Sequence, residues 1–169
     1  RSPSRGLGDV YKRQLQRDGH TVSASVLIHG LAPSAIAAGI EPAEALLAFM
    51  EFLGDSPLLA FHAGFDQRML ARALKDTLNL RLRHPFYDVA ELAPMLCPQA
   101  EIRNGGLDDW TAYFGLQVGQ RHHASADALV TAELALILFS RARKQQADSL
   151  KALEQRLKSW RQRLQGHSL

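Results

Sequence analysis

The stretch "SPLLAFHAGFDQRMLARALKDTL", residues 56–78, decides the fold class. Its first part, "SPLLAFHA", 56–63, is short and apolar and reads as a buried strand. From Phe65 onward the period changes, with Met69, Leu70, Ala73 and Leu74 falling on one helical face and Arg68, Arg72, Lys75 and Asp76 elsewhere. A strand running directly into an amphipathic helix is the α/β signature.

The flanking segments continue the pattern. "EPAEALLAFMEFLG", 41–54, reads as a helix with Pro42 in its first turn, Leu46, Leu47, Met50 and Leu53 as its apolar face, and Gly54 as its stop. "HPFYDVAELAPMLCP", 84–98, gives a brief extended piece at Phe86 and Tyr87 and then a helix bounded by Pro94 and Pro98, its end left open between them. "GGLDDWTAYFG", 105–115, is a short helix ending at Gly115. A further helix starts around Ala126 and is apolar on several faces through Leu134, Leu136, Ile137, Leu138 and Phe139, which predicts burial. Upstream, the apolar run in "HTVSASVLIHGLAP", 20–33, ends at His29-Gly30. Leu150, Leu153, Leu157, Trp160 and Leu164 then form a heptad-like seam on a basic helix, a surface fit for a helical protein partner.

A chain of 169 residues with 46% hydrophobic and 22% charged residues has the size and balance of one globular domain. Cys97 has no second cysteine to pair with, which points to a reducing, cytoplasmic setting, and no apolar run approaches membrane-spanning length. The net charge of +3 conceals an asymmetry. Residues 141–169 carry eight Lys/Arg against Asp148 and Glu154, whereas residues 15–140 carry 8 Lys/Arg against 14 Asp/Glu. The central region therefore offers no electrostatic footprint for a polyanion, and phosphate chemistry there calls for cations to offset its carboxylates. The leader "RSPSRGLGDVYKRQ" differs in composition from the rest of the chain and reads as a disordered or non-native tail over 1–14.

Two acids stand at helix beginnings beside strand ends or loops: Asp66 in "FHAGFDQRML" and Asp127 in "HHASADALVTAEL". Such positions are where sites form in α/β sheets. Either acid alone is also explained by the positive end of its own helix, worth a few tenths to about 1 kcal/mol. His122, five residues before Asp127, adds a group that titrates near neutral pH, with His123 as an exposed neighbour. Tyr87 and Asp88 read as structural, and Glu101, Asp108 and Asp109 as a solvated loop and helix start.

"H-x-A-x-x-D-A", met by His122, Ala124, Asp127 and Ala128, resembles the third motif of the DEDDh 3′–5′ exonucleases, the family of the proofreading epsilon subunit of bacterial DNA polymerase III. "AFHAGFD" resembles the second motif, and "SVLIHGL", 25–31, the I-H-G-I signature between the first and second. "FYDVAELA" and "GGLDDWTAYFGL" resemble two further blocks, in collinear order from about Leu15 to Ser140. The resemblance implies a ribonuclease H-like α/β domain over 15–140, followed by a long basic helix over 141–169. It implies hydrolysis of nucleotides from a single-stranded 3′ end, DNA in preference to RNA, in proofreading or repair. Two divalent cations, Mg²⁺ or Mn²⁺, would be held by Asp66 and Asp127 among others, with His122 as general base toward the attacking water. His29, Gly30, His62 and Phe65 would contact the substrate. A polymerase is an implied partner of the basic helix, whose bases equally suit nucleic-acid phosphates.

The chain departs from the family in one respect. The first motif, D-x-E, which supplies two of the four metal-binding acids, is not in this sequence: upstream of "SVLIHGL" the acids are Asp9 and Asp18. Truncation, with loss of the first three strands, accounts for both this and the foreign leader. It implies a chain of low stability and negligible activity by itself. A catalytically dead relative serving as a scaffold or nucleic-acid-binding module is the alternative.

Overall fold

The computed structural model describes residues 41–117 and 124–166. The leader, the "SVLIHGL" block with His29 and Gly30, and His122 with His123 lie outside the described residues.

Helix α1, Pro42–Leu53, begins where the sequence predicts, with Pro42 in its first turn and the Glu41 carboxylate accepting the Glu44 N–H at 3.0 Å. It ends at Gly54, whose φ of 54° lies in the left-handed region that favours a residue without Cβ. Strand β1, Leu58–Ala60, leads through His62 into α2, Ala63–Leu78. Strand β2, Phe86–Asp88, passes directly into α3, Val89–Leu96. The two strands run parallel, with Leu58, Leu59 and Ala60 opposite Phe86, Tyr87 and Asp88. A 3₁₀ turn at Pro98–Ala100 precedes α4, Leu107–Phe114, then α5, Ala124–Lys144, and α6, Leu150–Gly166. Parallel strands joined through a helix, with helices packed on them, make an α/β architecture.

The core is centred on α3, an eight-residue helix with apolar side chains nearly all round. Val89, Leu92, Ala93 and Leu96 are fully buried. Leu134 and Leu138 of α5, Trp110 of α4, and Leu153 and Leu157 of α6 join them in one cluster. Pro94 sits inside α3 without ending it, because the helix is anchored at both ends: Asp88 caps its N-terminus, and the Cys97 N–H reaches the Ala93 carbonyl at 2.9 Å.

Several expectations are corrected by the packing. Of the stretch 56–63 read as a buried strand, Leu58–Ala60 is strand, and Leu59 in it is 36% exposed. Among the described residues the sheet has two strands, so one side of β1 has no strand beside it. Leu47 and Met69 face outward and Met50 is half-buried, while Leu46, Leu53 and Leu74 are buried as expected, joined by Ala45 and Ala63. In helix α5, Leu136 is 58% exposed, so this helix is buried along one stripe rather than on several faces.

The seam on the last helix is also redirected. Leu153 and Leu157 are buried against the chain's own core, through α3, and Trp160 is half-buried there. The central part of the surface expected to receive a partner helix is thus occupied in cis, leaving Leu150 and Leu164 exposed at its two ends.

Candidate functional site

Pairing of Ala60 with Asp88 brings the carboxyl ends of both strands side by side, and each strand turns there into a helix. One carboxylate oxygen ties the two junctions together. Asp88 Oδ1 accepts the backbone N–H of Ala90 at 3.0 Å, capping α3, and the backbone N–H of His62 at 2.9 Å, anchoring the start of α2. His62 adopts a left-handed conformation, φ 61° and ψ 49°, which is uncommon for a residue with a Cβ and needs support from its surroundings. The bond from Asp88 gives that support, so the residue read as structural in the sequence sets the angle at which α2 leaves β1.

The first turn of α2 then presents Phe65, 62% exposed, and Asp66. Although Asp66 as a residue faces solvent, neighbouring atoms crowd its carboxyl. This partial burial raises its pKa above the ordinary carboxylate value; its own backbone N–H opposes the rise, and the Asp88 charge adds to it. The Asp66 carboxyl thus feels the half-buried Asp88 carboxylate, whose own charge also acts on the Arg161 cation. Asp127 lies half-buried in the first turn of α5, a helix that packs on β1.

Of the residues singled out in the sequence, the structure places His62, Phe65 and Asp66 on one strand–helix junction and Asp127 on a second helix start. Oxygen donors of this kind suit hard divalent cations, which take six to eight such ligands or complete their shell with water. Among the described residues, no three His, Cys, Asp or Glu side chains converge into a closed metal site. Asp66 and Asp127 offer carboxylate oxygens of the type such ions take, without a converged ligand set among the described residues.

Sequence reasoning missed the contacts that fasten α6 behind this junction. The Tyr87 hydroxyl donates to Glu154 Oε1 at 2.5 Å, and Arg161 forms a bidentate pair with Glu91. That pair, opposed by partial burial and helped by the nearby Asp88 charge, raises the Arg161 pKa. Partners 67 and 70 residues apart leave no spacing signal in a sequence.

These features define an α/β domain with acidic side chains in the first turns of helices that pack on a parallel strand pair. The sequence profile of the RNase T exonuclease family matches residues 12–135. The chain belongs to this family, a DEDD exonuclease group of the ribonuclease H-like superfamily. Similar proteins include PolC-type DNA polymerase III of Thermotoga maritima, 36% identical over 93 residues, which are 55% of this chain and 7% of that protein. The Bacillus subtilis PolC-type enzyme is 34% identical over 95 residues, 56% of this chain and 6% of that protein. That of Listeria innocua is 31% identical over 127 residues, 74% of this chain and 9% of that protein. The chain thus spans less than a tenth of the length of these relatives.

Proposed function

We propose that this chain carries part of the site of a 3′–5′ exonuclease acting on single-stranded nucleic-acid ends, DNA in preference to RNA, within a ribonuclease H-like sheet to which β1 and β2 belong. The observation that carries the reading is the position of Asp66. It lies in the first turn of the helix entered directly from β1, within a family match that also spans Asp127.

Asp66 and Asp127 would hold two divalent cations, Mg²⁺ or Mn²⁺. Such ions supply Lewis-acid stabilisation of a phosphoryl oxygen and a water made acidic enough to attack at neutral pH. The chain's own groups move a proton and position the substrate. His122 accepts the proton of the attacking water on a ring nitrogen, in the range where imidazole exchanges protons near neutral pH. Phe65, exposed one residue before Asp66, offers a face on which a terminal base stacks. His62 reaches a phosphate, and Gly30 with His29 lies against the terminal nucleotide, where a backbone without Cβ allows close approach.

The test uses a 5′-labelled single-stranded DNA with Mg²⁺ or Mn²⁺. The 169-residue chain is expected to digest it negligibly, since the sequence holds no D-x-E upstream of residue 25. Fused to a segment supplying that motif, it should release mononucleotides from the 3′ end, with chelator abolishing the activity. Asp66→Asn, Asp127→Asn and His122→Ala should each lower the rate of the fusion by about 100-fold or more. An inactive fusion that is folded and binds Mn²⁺ would refute the enzymatic reading and favour a scaffold.

A further inference from the structure

The basic C-terminal region leaves a surface that the proposed site does not use. Helix α6 turns its apolar stripe, Leu153 and Leu157, into the core. Its single carboxylate, Glu154, accepts the Tyr87 hydroxyl, and Arg161 is paired with Glu91. On the opposite side Lys151, Gln155, Lys158 and Gln162 follow one another at helical spacings of four, three and four. All four are exposed, and the acid nearest them on the helix, Glu154, is engaged by Tyr87. The neighbouring end of α5 adds exposed Arg143 and Lys144. Arg156 Nη1 donates to the Gln145 carbonyl at 3.0 Å, holding that end of α5 to α6. Asp148, in the connecting turn, is the one acid beside these bases among the described residues of 143–158 apart from the engaged Glu154.

We infer that this outer face of α6, with the end of α5, binds the sugar–phosphate backbone of DNA without reading its sequence. Lys158 lies seven positions beyond Lys151 on the helix, a rise of about 10 Å, which matches about three nucleotides along one strand. The amides of Gln155 and Gln162 lie along the same face and add neutral donors to phosphate oxygens. A partner helix is disfavoured because the apolar seam it would need is buried in cis. A membrane surface is disfavoured for the same reason, since an interfacial helix needs its apolar face free.

The choice of polyanion rests on the proposed exonuclease function, but the test reads binding in EDTA, where no turnover occurs, so the two readings fail separately. Fluorescence anisotropy of a 5′-labelled DNA oligonucleotide, titrated with the whole chain at several salt concentrations, gives the affinity and its salt slope. The double variant Lys151→Gln/Lys158→Gln is expected to bind at least about tenfold more weakly at moderate salt. It should lose about 2 from the magnitude of the log–log salt slope, close to one per phosphate contact. Arg143→Gln/Lys144→Gln should act in the same direction. Arg72→Gln/Lys75→Gln, on exposed positions of α2, should leave both quantities unchanged. Unaltered melting of each variant excludes unfolding as the cause. Equal binding by the α6 variant and the wild-type chain would overturn the inference. So would preferential binding of anionic phospholipid vesicles over DNA.

Discussion

Removal of a single hydroxyl, Tyr87→Phe, isolates what fastens α6 to the strand–helix junction. Tyr87 is 5% exposed, so phenylalanine fills the same space and the packing is kept. What is lost is the hydrogen bond to Glu154 Oε1. Bonds to charged groups contribute about 1.5–3 kcal/mol, but Glu154 is itself exposed and regains water when its partner goes. The expected loss is therefore about 1–2 kcal/mol.

The pH dependence gives the sharper check. Burial, and then the hydrogen bond and charge of Glu154, push the Tyr87 phenol up from its ordinary value to about 12. A group whose pKa is higher in the folded than in the unfolded state stabilises the fold fully below the unfolded value. That contribution disappears as pH rises through the folded value. The advantage of Tyr87 over phenylalanine should then be complete at about pH 8 and gone near pH 12. Urea unfolding of the two proteins, followed by far-UV circular dichroism at both pH values, measures it. Other tyrosines titrate equally in both proteins and cancel. Equal midpoints at about pH 8, or a gap that persists unchanged near pH 12, would refute the reasoning.

Two further substitutions probe the packing. Leu157→Ala, which hollows the contact between α6 and α3 at a residue 5% exposed, should cost about 2–5 kcal/mol in the same unfolding assay. Gly105→Ala should cost about 1–3 kcal/mol, because a Cβ there would come within 2.2 Å of Ile102 Cγ2 and 3.3 Å of Trp110 Nε1. A melting temperature unchanged from wild type would show that the loop before α4 yields freely.

Much of the local structure was legible in the sequence because its signals act within one or two turns of chain. Pro42 and Gly54 bracket α1, and Gly115 closes α4 with a positive φ of 65°. The change of period from Phe65 onward marks, to within two residues, where α2 begins at Ala63. The helix-start positions of Asp66 and Asp127 follow from the same short-range patterns.

The tertiary structure alone decided which apolar stripe each helix buries and what covers it. The period of a helix shows that Leu47, Met69 and Leu136 are compatible with an inner face, but burial depends on what packs against that face, and all three are exposed. The leucine seam of α6 offers the same pattern to a foreign helix as to the chain's own α3, and only packing assigns Leu153 and Leu157 to the latter. Asp88 caps α3 through a bond to Ala90 two residues on, yet its second bond reaches His62 across 26 residues. Capping and periodicity arise from hydrogen bonds and side-chain directions within a few residues, whereas these pairings depend on how separate elements meet in space.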